Sequence, residues 1–175
     1  MTTILKNICL LIILSGCPAF AQTTPARDSL LDHMAGEWIL QGTIAGQETT
    51  HDIIAEWVLG HQYILLRETS REKDSDGKPS YEAMVFITLD QSLNQYNCLW
   101  LDNTGNGGLS GQAIGHASRN GNKIELLFKI TDSNTFHTTF LYDQDTNTWH
   151  WKMDNEDNNK LESFARVKLT RKQTN

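Results

Sequence analysis

The feature that most constrains the fold is an alternation of apolar and polar residues with a period of two, from about residue 37 to residue 171. This period is that of a β-strand with one buried face. The runs are short, and clusters of Asp, Asn, Gly and Ser separate them as turns. The predicted strands cover residues 37–45, 48–58, 61–71, 80–89, 95–102, 110–119, 123–131, 135–142, 148–154 and 162–171.

Connections this short favour antiparallel neighbours, since a parallel crossover needs a much longer segment. A series of ten antiparallel strands leaves two exposed edges unless the sheet closes on itself. We therefore predict an all-β fold, a ten-stranded antiparallel up-and-down β-barrel. Residues 29–36 have apolar positions at helical spacing, with Ser29 first and Gly36 last, so we also expect one short N-terminal helix.

The N-terminal segment has the pattern of an export signal. Lys6 precedes an apolar run at residues 8–14, and Ala19-Phe20-Ala21 is typical of a cleavage site. The predicted organisation is a signal peptide at 1–21, a linker at 22–28, the lipocalin-like barrel at 29–172 and a tail at 173–175. An alternative is that Leu14-Ser15-Gly16-Cys17 is a lipoprotein box with Cys17 lipidated. Both alternatives predict export, to the periplasm or medium or to an outer-membrane lipid anchor.

Charge and cysteine content exclude several classes of function. The chain has 15 Lys and Arg against 21 Asp and Glu and no basic run, so we expect no nucleic-acid partner. Removal of residues 1–21 takes Lys6 and no acid, so the net charge becomes 14 − 21 = −7. It also leaves Cys98 as the single thiol, which excludes an internal disulfide and a cysteine metal site. We expect no membrane insertion of the mature chain.

Small residues on one predicted strand indicate a cavity inside the barrel. A hairpin at Asn120-Gly121 that pairs Arg119 with Asn122 places Gly115 on the same face as Phe128. The other small residues of this face are Gly111, Ala113 and Ala117, and its bulky residues are Ile124, Leu126 and Ile130. A wall of Gly and Ala leaves unfilled volume. The alternative is that Trp57 or Trp100 fills this volume from across the barrel.

The same alternation gives candidate ligand-binding residues, which share inward parity with apolar neighbours. Tyr and Trp among them offer an apolar ring with one hydrogen-bonding atom. The alternative for each is a satisfied core position. The predicted ligand-binding residues are His51, Trp57, Tyr81, Trp100, Asp102, Gly115, Phe128 and Trp151.

Short motifs resemble a known superfamily. Gly36-Glu37-Trp38 resembles the Gly-x-Trp signature of lipocalin-like (calycin) barrels, and residues 89–103 with Gly111 and Gly115 are similar to a bacterial family of such domains of unknown function. Nitrobindin and fatty-acid-binding barrels are more distantly similar. In these folds a basic residue near the last strand packs over the Trp, which assigns Arg171 a structural contact with Trp38.

The resemblance implies an exported barrel that binds a small hydrophobic or amphipathic molecule. Nitrobindins bind haem through a His, but no His here lies in a matching motif, so no cofactor is expected and haem is kept only as an alternative. A second hypothesis is a calycin-type isomerase or cyclase, with His51 and either Asp102 or Glu68 in acid–base roles. A third is a non-catalytic interaction module of the cell envelope.

Overall fold

The computed structural model describes residues 28–105 and 110–173. The predicted signal peptide, Cys17 and most of the predicted linker lie outside these residues. One short helix and ten strands follow each other along the chain. They are α1 (Ser29–Met34), β1 (Gly36–Ile44), β2 (Gln47–Val58), β3 (Tyr63–Ser70), β4 (Glu82–Asp90), β5 (Gln95–Asp102), β6 (Ile114–Ser118), β7 (Lys123–Lys129), β8 (Asn134–Asp143), β9 (Thr148–Asp157) and β10 (Lys160–Arg171).

The strands form one closed antiparallel barrel, which confirms the predicted fold class. Each strand pairs with the next in sequence, and β10 returns to pair with β1. Closure gives every described strand a neighbour on both sides, although β6 and β7 pair only at Gly115–Phe128 and His116–Leu127. The alternation predicted from the sequence therefore separates a lumen face from a solvent face all around the barrel.

The segment around β6 differs from the prediction in length and register. Residues 111–113 form a 3-10 turn, so the strand begins only at Ile114. The following hairpin pairs Asn120 with Lys123 and Gly115 with Phe128, a shift of two residues from the predicted pairing of Arg119 with Asn122. Because the shift is even, it preserves the predicted facing.

Helix α1 lies across one end of the barrel. Its N-cap is Asp28, whose Oδ1 accepts a hydrogen bond from the Leu31 backbone N–H at 2.9 Å. Leu31 and Met34 are fully buried against the barrel core. The Trp38 indole donates to the Met34 carbonyl at 2.7 Å, so the first strand is tied to the helix that precedes it.

Arg171 completes this closed end. Its guanidinium carbon lies 3.7 Å from the centre of the Trp38 ring, the contact predicted from the sequence. The same guanidinium donates to the Ala35 carbonyl at 2.6 Å and to the His33 carbonyl at 3.0 Å. Gly36 has φ +128 and its backbone lies against the Arg171 guanidinium, so a side chain at this position would displace it.

The remaining thiol of the described chain is in the core. Cys98 is 2% exposed, and burial raises the pKa of its thiol.

Buried Asp28 forms an ion pair with Arg119 at 3.1 Å and accepts a hydrogen bond from the Tyr96 hydroxyl at 3.2 Å. No helix within residues 28–105 and 110–173 has the length and apolar character to cross a membrane.

The contacts of Arg171 at the closed end predict that this residue stabilises the folded protein. Arg171→Met should lower the free energy of unfolding by about 1–3 kcal/mol, since it removes a cation–π contact and two hydrogen bonds to backbone carbonyls. Urea denaturation followed by Trp fluorescence measures this change.

Arg67→Met is the matched control. The Arg67 side chain is 44% exposed and pairs with Glu56 on the outer face at 3.4 Å. We expect its free energy of unfolding to change by less than about 0.5 kcal/mol. Equal losses in the two variants would contradict a closing role for Arg171.

Candidate functional site

A cavity of about 770 Å³ lies at the end of the barrel opposite α1. There β1 ends and β2 begins, and the described residues that follow β3 and β5, among them Glu72 and Thr104, lie at the same end. The described residues that line it are Ile44, Ala45, Gln47, Glu48, Thr49, His51, Glu68, Glu72, Ser80, Tyr81, Trp100, Asp102, Thr104, Phe136, Met153, Asn155 and Phe164.

One wall of the cavity is apolar and aromatic. Phe136 on β8 and Phe164 on β10 pack edge to face, with ring centres 5.6 Å apart. Met153 lies on β9 between these two strands, and Ile44 ends β1. An apolar surface of this kind stabilises a ligand by removing its hydrocarbon part from water.

The opposite wall holds a chain of hydrogen bonds from β2 to β3 and beyond. His51 Nδ1 is bonded to Glu68 Oε1, and His51 Nε2 lies 2.9 Å from the Thr49 hydroxyl. That hydroxyl donates to Glu72 Oε2 at 2.9 Å. Thr49 and His51 face the same way because they are two residues apart on one strand.

A count of donors gives the direction of one hydrogen bond in this chain. The Thr49 hydroxyl has one hydrogen, which goes to Glu72, so its contact with His51 needs a donor on Nε2. The Nδ1 contact with Glu68 is a hydrogen bond whose proton either the ring or the carboxyl can supply. A continuous chain of hydrogen bonds therefore runs from Glu68 through His51 and Thr49 to Glu72.

Glu68 is the most buried carboxyl of the cavity wall, at 3% exposed. It faces inward because β3 alternates, with Ile64 and Leu66 buried on the same face. Burial raises the pKa of Glu68; the bond from His51 opposes this shift and the charge of Asp102 adds to it. Its second oxygen, Oε2, has no hydrogen-bond partner among the described residues.

Tyr81 links the polar and aromatic parts of the cavity. Its ring stacks on His51 with centres 5.7 Å apart, and its hydroxyl accepts from the Trp100 indole at 3.2 Å. Burial, together with the charges of Glu68 and Asp102, raises the pKa of Tyr81. Tyr81 therefore stays a neutral phenol at physiological pH.

Four predicted ligand-binding residues line this cavity and four do not. His51, Tyr81, Trp100 and Asp102 are in the lining. Trp57 lies toward the closed end instead, where its indole donates to Asp32 at 2.8 Å. The remaining three, Gly115, Phe128 and Trp151, belong to the barrel core.

Strand β6, which carries the small residues Gly115 and Ala117, does not line this cavity. Other side chains fill the space over its inner face. A Cβ atom on Gly115 would lie 2.6 Å from the Phe128 ring, so that ring covers the glycine. Trp100 packs edge-on against Phe128 at 6.2 Å. Trp151 is buried beside Trp100 and Phe140, at 5.5 and 4.6 Å between ring centres. The Phe128 side chain, from the adjoining strand β7, is therefore the main group that fills the space over Gly115.

Sequence patterns did not indicate several lining residues. Thr49 and Glu72 are polar residues near strand ends, where they resemble ordinary surface positions. Phe136 and Phe164 lie at strand positions typical of any barrel core. Glu68, which the acid–base hypothesis names, is the lining residue with a clear sequence signal: it is a charged residue at an inward position of an apolar strand.

The described residues define a closed ten-stranded barrel with one sealed end and a cavity at the other. No protein-family model and no curated protein matches the chain. Among solved structures, the chain is similar to the crystal structure of Rv2717c from M. tuberculosis, with a TM-score of 0.54 and 13% identity over 85% of this chain and 100% of that chain. At this identity the similarity concerns the fold alone. Within residues 28–105 and 110–173, no three His, Cys, Asp or Glu side chains come together as a metal site.

The raised pKa of Glu68 predicts a pH-dependent stability. Its folded pKa lies above the ordinary value of 4.5, so its contribution to stability is complete below that value and is lost as the pH rises through the folded pKa. Glu68→Gln removes this titration. The free energy of unfolding of the wild type minus that of the variant should be larger at pH 4.5 than at pH 8.

Urea denaturation at the two pH values measures this difference. Glu56→Gln, which removes an exposed carboxyl of the outer face, is the matched control. The prediction is wrong if the free energy of unfolding of the wild type minus that of Glu68→Gln is larger at pH 8 than at pH 4.5. That result would mean that the surroundings of Glu68 stabilise its charged form.

Proposed function

We propose that this protein is an exported, lipocalin-like barrel that binds a small amphipathic molecule in the cavity opposite α1. The observation that supports this most directly is the division of the cavity into an aromatic wall and a hydrogen-bonding wall. Binding sites for small molecules combine a mostly apolar lining with a few placed polar groups. The volume of about 770 Å³ suits a ligand of drug size.

The export part of this proposal rests on the N-terminal sequence. Lys6, the apolar run at 8–14 and Ala19-Phe20-Ala21 have the order of a signal peptide. A lipid on Cys17 is the alternative form of the same export, and would tether the barrel to a membrane surface. Mass measurement of the mature N-terminus distinguishes cleavage after Ala21 from lipidation of Cys17.

Filling the cavity should weaken ligand binding. N-phenyl-1-naphthylamine, an uncharged apolar fluorophore, should bind the wild type with an increase in fluorescence. Asn155→Trp places an indole in the cavity, since Asn155 lines it from β9. We expect this variant to bind the probe at least about tenfold more weakly, a loss of about 1.4 kcal/mol of binding free energy.

Lys152→Trp is the matched control because it places the same ring on the exposed outer face of β9. It should bind the probe as the wild type does. Equal binding by all three proteins would mean that the probe occupies another surface and would reject the cavity as the binding site.

A second candidate function is acid–base catalysis, and the His51–Glu68 pair in the cavity wall favours it. A buried carboxyl that orients a His beside a ligand cavity is a common arrangement for proton transfer. The expected activity is exchange of protons next to a carbonyl group. It is measured by NMR as deuterium uptake from D₂O by a panel of small ketones.

His51→Gln should abolish such exchange, and His150→Gln, a change at a partly exposed residue outside the cavity lining, should not. Exchange at the buffer rate with the wild type would reject this candidate and leave ligand binding as the proposal.

Haem does not fit the residues of this cavity. His51 is the one His among its described lining residues, and both of its ring nitrogens have partners, Glu68 and Thr49. A haem iron needs a free imidazole nitrogen. No step of the proposed function is therefore assigned to haem.

A further inference from the structure

The cavity has an excess of negative side chains. Its described lining includes four carboxyl residues and no Lys or Arg. They are Glu48, Glu68, Glu72 and Asp102. The four acids outnumber the single His of the described lining. A ligand that carries a carboxylate or phosphate would meet repulsion at this wall, and a cation would be attracted.

Glu68 supplies an unused acceptor within this wall. One carboxyl oxygen is bonded to His51, and the other, Oε2, is buried without a partner among the described residues. A buried acceptor without a donor costs free energy, and a charged donor would satisfy it best. The unpaired Oε2 atom of Glu68 therefore favours a ligand that carries a hydrogen-bond donor.

The register of the sheet places a second carboxyl near this acceptor. Glu68 on β3 pairs with Ala83 on β4, and Ala83 pairs with Asp102 on β5. The two acids thus lie on either side of one small residue and both face the lumen, about 10 Å apart at their Cα atoms. The charge of Asp102 acts on Glu68, and the charges of both act on Tyr81.

Aromatic rings surround the same region. Tyr81 and Trp100 are hydrogen-bonded to each other beside the two acids, and both line the cavity. The faces of such rings attract ammonium groups by cation–π interaction. Carboxylates combined with aromatic rings are a favourable environment for an organic cation, and the wall of Phe136 and Phe164 accepts its hydrocarbon part.

We propose that the cavity selects a protonated amine with an apolar tail, whose ammonium group donates to Glu68 Oε2 and is further attracted by Asp102. The tail packs against Phe136 and Phe164. This inference rests on the proposed ligand-binding function and adds the charge of the ligand to it.

Three probes with the same eight-carbon chain test the sign of this charge: octylamine, 1-octanol and octanoate. Their affinities for the wild type are measured by isothermal titration calorimetry at pH 7.5. We expect octylamine to bind at least about tenfold more tightly than 1-octanol, since the charged hydrogen bond is added to an equal apolar contact. Octanoate should bind the most weakly.

Two variants test the residues. Glu68→Gln removes the charge and keeps a side-chain oxygen for the contact with His51. Asp102→Asn removes the charge of the second acid and keeps an oxygen for its bonds from Thr104 and Gly105. Each should reduce the preference for octylamine over 1-octanol by about tenfold or more, and neither should change the affinity for 1-octanol by more than about threefold. Glu56→Gln is the control for the loss of one negative charge outside the cavity.

The outcomes separate the inference from the proposed function. If 1-octanol or octanoate binds as tightly as octylamine, or if both variants keep the wild-type preference, the amine proposal is overturned while the binding function stands. If none of the probes binds, the binding function fails with it. Should Glu68→Gln lose its circular-dichroism spectrum, Asp102→Asn decides the question alone.

Discussion

The return of the last strand to the first is the constraint on which the rest of the molecule depends. A sheet of ten strands closes only if β10 finds β1 in register, and Trp38 lies opposite Arg171 where the two strands meet. The guanidinium covers the Trp38 ring and binds carbonyls at the end of α1. One side chain therefore both stabilises the closure of the sheet and attaches the helix to it. With this end sealed, the described lumen has its large cavity at the other end.

Closure also divides several strands between core and site. On β2, Trp57 lies toward the sealed end and His51 lines the cavity; on β9, Trp151 is core and Asn155 is cavity. The same inward alternation thus provides packing at one height in the barrel and ligand contacts at another. The aromatic core below keeps the site residues on rigid strands, which limits their movement on binding.

This division explains how far the sequence could predict the site. Alternation gives the face of each residue, so ten strands and the lumen position of His51 and Asp102 could be expected from it, whereas the contact of Arg171 with Trp38 was implied by the Gly-x-Trp resemblance. Alternation does not give the height of a residue along the barrel or the neighbour that covers it. Gly115 therefore indicated empty space, although the Phe128 ring on the adjoining strand fills it once the register is known.

Glu68 is the position where stability and the site make opposite demands. A carboxyl that is 3% exposed, with one oxygen unpaired among the described residues, costs free energy that an apolar side chain would not. Its neighbours on β3 show that apolar residues fit this face. The bond to His51 offsets only part of the cost, because it uses only one of the two oxygens. A ligand that donates a hydrogen bond to the other oxygen would offset the rest of this free-energy cost. The carboxyl that destabilises the unliganded protein is therefore also the group best placed to bind a ligand.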